Sequence, residues 1–169
     1  MLDLPTRRRI VAYVGDHPGT SARGVQRGIG LGWGETAYHL RRLVAAGELA
    51  RDRDGRRDFY FPPAFDAEDR RLLRAMRGEV PRRILLALTV PEGRSFHALV
   101  EGLDIARSTI AFHLRILLLT GEVERDPGTV PRYRARAPDR VSALARRYPI
   151  GPPDLEERFS ESFGGLVRD

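Results

Sequence analysis

The 169-residue chain predicts an α+β fold, mainly α with small β-hairpins, in which one structural unit is used twice. Three observations carry that prediction. Residues 36–52, TAYHLRRLVAAGELARD, recur at residues 110–126 as IAFHLRILLLTGEVERD, which sets His39 on His113 at an offset of 74. The offset holds well outside the stretch, without a gap from Arg8 to Phe59: Arg8, Arg9 and Ile10 fall on Arg82, Arg83 and Ile84, Val25 on Leu99, Ile29 on Leu103, and Phe59 on Tyr133. Self-similarity at one fixed period over so long a span marks a repeated supersecondary unit rather than a shared composition. In both copies, finally, a three-to-four apolar spacing gives way after a glycine to the period of strands.

Each element follows in order. The first helix is predicted from Pro5 to about Gly15, with proline suited to an early helical position and Ile10, Val11 and Val14 on one face. Its counterpart runs from about Glu79 to Thr89, with Ile84, Leu85 and Leu88 inward. Ser21 and Ser95 stand where a side chain would cap a short second helix, ending near Gly28 and Gly102. A third helix is expected from about Trp33 to Ala46 and from about Arg107 to Thr120, stopped by Gly47 and Gly121. ELARDRDGRRDFYF then reads as two short strands around an Asp54-Gly55 turn, and EVERDPGTVPRYRA as two around Pro127-Gly128. Three helices followed by a hairpin is the order of a winged helix-turn-helix domain.

This places domain 1 at residues 1–64, a linker helix at 65–78, domain 2 at 79–148 and a C-terminal tail at 149–169. The linker helix has Asp66 as its cap and Leu72, Leu73 and Met76 as its apolar side. A short amphipathic helix, APDRVSALARRY, closes domain 2. After PIGPP, Leu155, Phe159 and Phe163 recur at a spacing that shares one helical face.

The segment ARSTIAFHLRILLLTGEVERD, with the charged hairpin that follows it, resembles the recognition helix and wing of ArsR- and MarR-type winged-helix regulators. The first copy departs from that pattern by setting Gly32-Trp33-Gly34-Glu35 where the family has Ser/Thr-rich residues. Two such units in one chain are similar to archaeal tandem winged-helix transcription factors, and the resemblance covers about residues 5–137. It implies a DNA-binding protein.

Charge points the same way. The net charge is +6, and all 29 basic residues are arginine, whose planar fork suits phosphates and guanine edges. A sequence pI near 10.6 fits the electrostatic footprint of a nucleic-acid binder. The chain has no cysteine, which excludes a disulfide framework and a thiolate metal site. No Walker-type glycine loop, nucleophile elbow or histidine-containing zinc helix occurs, so no catalytic residue, cofactor or metal is expected. No stretch approaches the roughly 20 apolar residues of a membrane span. A cytoplasmic, nucleoid-associated location is the expectation.

Helical spacing turns Thr36, His39, Leu40 and Leu43 inward in the third helix of domain 1, and Ile110, His113, Leu114 and Leu117 in domain 2. The histidines are read as packing at the helix boundary, with a pH switch as the alternative. The opposite face carries Trp33, Glu35, Tyr38, Arg41 and Arg42 in domain 1, and Arg107, Ser108, Phe112, Arg115, Ile116 and Leu119 in domain 2. The candidate DNA contacts are therefore Trp33, Tyr38, Arg41 and Arg42 with Arg53, Arg56 and Arg57 of the first wing, and Arg107, Ser108, Arg115 and Arg132 of domain 2.

The expected function is transcriptional regulation on double-stranded DNA, read mainly through the third helix and basic wing of domain 1. Isoleucine and leucine on the outer face of domain 2 favour the alternative, a winged-helix protein-docking or architectural chromosome-associated module. A homodimer has two candidate surfaces, the C-terminal tail and that outer face.

Overall fold

The computed structural model describes residues 4–148. The order is α1 (Leu4–Asp16), β1 (Thr20–Ser21), α2 (Ala22–Ile29), α3 (Trp33–Ala45), β2 (Ala50–Asp54), β3 (Arg57–Phe61) and α4 (Ala67–Met76). It continues with α5 (Glu79–Ala87), β4 (Arg94–Ser95), α6 (Phe96–Leu103), α7 (Arg107–Thr120), β5 (Val123–Asp126), β6 (Arg132–Ala135) and α8 (Pro138–Arg147). The chain divides into two compact units that part between Arg74 and Ala75, inside α4. The tail, with its Leu155, Phe159 and Phe163 stripe and the homodimer contact assigned to it, lies outside the described residues. Among the described residues no helix is long and apolar enough to cross a membrane.

In the first unit, Ile10, Val14, Val25, Leu40, Leu43, Leu49 and Tyr60 form the core between α1, α2, α3 and the sheet. The helix starts follow from side-chain chemistry. Ser21 Oγ accepts from the Gly24 amide at 3.1 Å, satisfying one of the orphan donors at the start of α2, and Ser95 Oγ does the same for Ala98 at 3.1 Å. The other ends of these two helices also match. Arg9 donates to the Ile29 carbonyl at 2.8 Å, and Arg83 donates to the Leu103 carbonyl, so each guanidinium sits at the negative end of a helix dipole. Asp66 Oδ1 accepts from the Asp69 amide at 2.8 Å, and Leu72, Leu73 and Met76 are buried as their spacing predicts.

The second unit buries Ile84, Leu85, Leu88, Leu99, Ile110 and Leu114, and α8 packs on α5 and β6. Its elements follow the same order as those of the first.

Each unit has a three-stranded antiparallel sheet, ordered β1-β3-β2 and β4-β6-β5. The strands β1 and β4 were not expected, because two residues are too few for any periodicity.

The wings also differ from expectation in register. In the first, Asp54 pairs with Arg57, so the turn residues are Gly55-Arg56 rather than Asp54-Gly55. Gly55, at φ 59°, takes the first central position of a tight turn, where only a residue without Cβ is unstrained. In the second, the ladder stops at Asp126↔Arg132, and residues 127–131 form a longer loop bounded by Pro127 and Pro131, which cannot donate to it. Tyr133 faces Arg125 as Tyr60 faces Arg51, so Tyr133 is the counterpart of Tyr60 and not of Phe59. The offset therefore falls by one residue across the wing.

Candidate nucleic-acid interface

The inward side of α3 is Thr36, His39, Leu40 and Leu43, all buried. Thr36 Oγ1 donates to the Gly32 carbonyl at 2.9 Å, and His39 Nε2 lies 3.9 Å from Glu35 Oε1. His39 thus sits in the packing layer. In α7 the corresponding Ile110, Leu114 and Leu117 are buried and His113 is half-buried.

The outer side of α3 is polar and organised. Arg42 Nη1 donates to the Tyr38 hydroxyl at 2.9 Å, with its guanidinium 5.6 Å from that ring's centre. Arg41 is exposed one residue earlier. At the helix start, the guanidinium of Arg23, from α2, stacks 4.2 Å over the Trp33 ring. Trp33 is therefore half of a contact between α2 and α3, and Arg23 adds a cation beside the face formed by α3. Sequence spacing missed Arg23, since it belongs to a different helix from the ring it covers. The second unit reverses the roles: Arg107 of α7 lies 4.8 Å over Phe96 of α6.

The wings use their arginines differently. Arg53 makes a two-pronged contact to Asp58, Nε to Oδ1 at 2.8 Å and Nη2 to Oδ2 at 3.3 Å, while Arg51 Nη1 lies 3.8 Å from the same carboxylate. The hydrogen bond from Arg53 holds the Asp58 carboxyl below the usual aspartate range, and the same bond raises the Arg53 guanidinium. Asp52 is taken by Arg70 at 3.0 Å. Arg56 and Arg57 are exposed at the turn. In the second unit, Arg132 donates to the backbone carbonyls of Gly93 at 3.1 Å and Glu92 at 3.4 Å, and Arg134 pairs with Asp126 at 3.1 Å. Arg132 thereby ties the wing to the loop before β4, and Arg134 joins the wing's two strands.

All eleven candidate residues are exposed. Two of them, Tyr38 and Arg42, are joined directly, and Arg53, Arg107 and Arg132 are engaged within the fold. The stripe that holds Tyr38, Arg41, Arg42 and Ala45 on α3 holds Phe112, Arg115, Ile116 and Leu119 on α7. There Phe112 is 60%, Ile116 41% and Leu119 77% exposed, an apolar surface left facing solvent.

Residues 5–73 match the family model of an N-terminal HTH domain. That match supports a helix-turn-helix DNA-binding domain over the first unit. A search of curated proteins gives no match to the chain.

Proposed function

We propose that the protein binds duplex DNA and regulates transcription, with the first unit as the principal reader. The observation that carries this is the outer face of α3, where Arg41 and the Tyr38-tethered Arg42 lie on a helix-turn-helix scaffold followed by a wing with Arg56 and Arg57 at its tip. Arginine forks onto guanine O6 and N7 in the major groove or onto flanking phosphates, and a tethered guanidinium loses less freedom in doing so. Arg53, held by Asp58, contributes less than an unpaired guanidinium would.

The chain belongs on this reading to the tandem ArsR/MarR-like, archaeal type, working in the cytoplasm on the nucleoid. The caps shared by both units, Ser21 with Ser95 and Arg9 with Arg83, support descent from one duplicated domain. Two units in one chain then stand in for the half-sites that a homodimer reads.

Substituting Arg56 and Arg57 by alanine tests the assignment in titrations of a labelled duplex at several salt concentrations. Two lost phosphate contacts reduce the slope of log K against log salt by about 1.8, whereas Arg132→Ala leaves it within about 0.3. Equal losses would show that both wings share the work. Absence of any duplex binding at low salt would transfer the case to protein docking.

A further inference from the structure

The stripe of Phe112, Ile116 and Leu119 on α7 has no cover among the described residues, although α7 is the structural counterpart of the helix proposed to read DNA. We propose that its occupant is the chain's own C-terminal segment, residues 154–163, through Leu155, Phe159 and Phe163. The proposal is independent of whether the first unit binds DNA.

Three observations favour this occupant. Phe112, Ile116 and Leu119 lie along one stripe of α7, and the tail's sequence offers three large apolar side chains, Leu155, Phe159 and Phe163, at intervals of four residues. Charge is complementary. Residues 75–148 hold 13 arginines against 8 acidic residues, and α7 itself has two arginines and no carboxylate, while residues 149–169 hold 5 acidic residues against 2 arginines. Asp154, Glu156, Glu157 and Glu161 flank the apolar positions of the tail, as Arg115 flanks those of α7. Reach is sufficient as well. The stretch from Pro149 to Leu155 extends to about 23 Å, against a radius of gyration of about 11 Å for a body the size of residues 75–148.

A second copy of α7 is the poorer occupant, because it would set Arg115 and a net-positive unit against their own likeness. The acidic tail removes that repulsion and buries the phenyl rings.

The natural absence of cysteine makes the test clean. In the full chain, the pair Ile116→Cys with Phe159→Cys is expected to form an intramolecular disulfide under mild oxidation, at least about tenfold faster than the control pair Leu86→Cys with Phe159→Cys, since seating raises the effective concentration of the thiols. Leu86 is exposed on α5 of the same unit. Equal rates for the two pairs, or a disulfide-linked dimer as the main product, would overturn the proposal. A second measurement uses only tail substitutions: Phe159→Ala with Phe163→Ala uncovers the stripe and raises the fluorescence of a hydrophobic dye several-fold over the native chain. An unchanged signal would equally overturn it.

Discussion

Asp58 gives the sharpest handle on the wing. Its carboxylate holds Arg53 through contacts of 2.8 and 3.3 Å and draws Arg51 to 3.8 Å, so one acidic side chain restrains two of the wing's cations. Asp58→Asn keeps the shape, removes the charge and releases Arg53 toward any phosphate lying along the strand. One additional phosphate contact steepens the fall of log K with log salt by about 0.9. Over the fourfold change from about 50 to about 200 mM salt, that slope amounts to a factor of about 3.5, so the affinity advantage of the variant over the native chain is about 3.5 times larger at the lower salt. Fluorescence anisotropy with a labelled random-sequence duplex reads both quantities, with circular dichroism confirming that the variant is folded. An unchanged slope in a folded variant would show that neither Arg51 nor Arg53 lies on the phosphate path. A weaker, shallower binding would show instead that the Arg53–Asp58 pair shapes the wing for contact, and the reasoning above would fail.

Other consequences are open to simpler measurements. Because the folded state lowers the Asp58 pKa, this group stabilises the first unit at neutral pH, and that contribution is lost as pH falls below the ordinary aspartate value of about 3.9; acid unfolding of Asp58→Asn, compared with the native chain, detects its removal as a flatter stability profile there. Ser21→Ala and Ser95→Ala should each cost about 0.5–2 kcal/mol in denaturant unfolding, since each leaves one helix-start amide without its acceptor. Trp33 is the single tryptophan, so its emission is a native probe: Arg23→Ala shifts the spectrum by removing the stacked guanidinium, and added duplex quenches the native chain if α3 meets DNA.

How far the sequence could be read is set by what each signal depends on. Helix starts and core positions were legible because local chemistry decides them: Ser21 and Ser95 cap as placed, and Leu40, Leu43, Leu114 and Leu117 are buried where the spacing puts them. The Arg8-Arg9-Ile10 recurrence was visible too, but not its reason, since Arg9 acts on a carbonyl 20 residues away. The wing failed on one residue. With Asp54-Gly55 as the turn, Arg53 would face Arg56, one cation against another. The actual Gly55-Arg56 turn sets Arg53 against Asp58, and that cation is taken into a pair. The strands β1 and β4 exist only by virtue of their partners β3 and β6, and no local pattern announces them.

The two units separate what packing fixes from what it leaves free. Inside, burial is kept at matching positions: Leu40 with Leu114 and Leu43 with Leu117 are identical, and Val25 with Leu99 and Thr36 with Ile110 stay buried although their volumes differ. On the outer stripe the restraint is lifted, and the residues part company: Tyr38 against Phe112, Arg42 against Ile116, Ala45 against Leu119. Each of those three differences removes a polar group or adds apolar area in the second unit, whereas at the helix start Trp33 gives way to Arg107. The loss of polar groups along this part of the stripe, beside the retained Arg41 and Arg115, fits two distinct contacts on one scaffold: the polyanion proposed for α3 and the apolar, acidic-flanked segment proposed for α7.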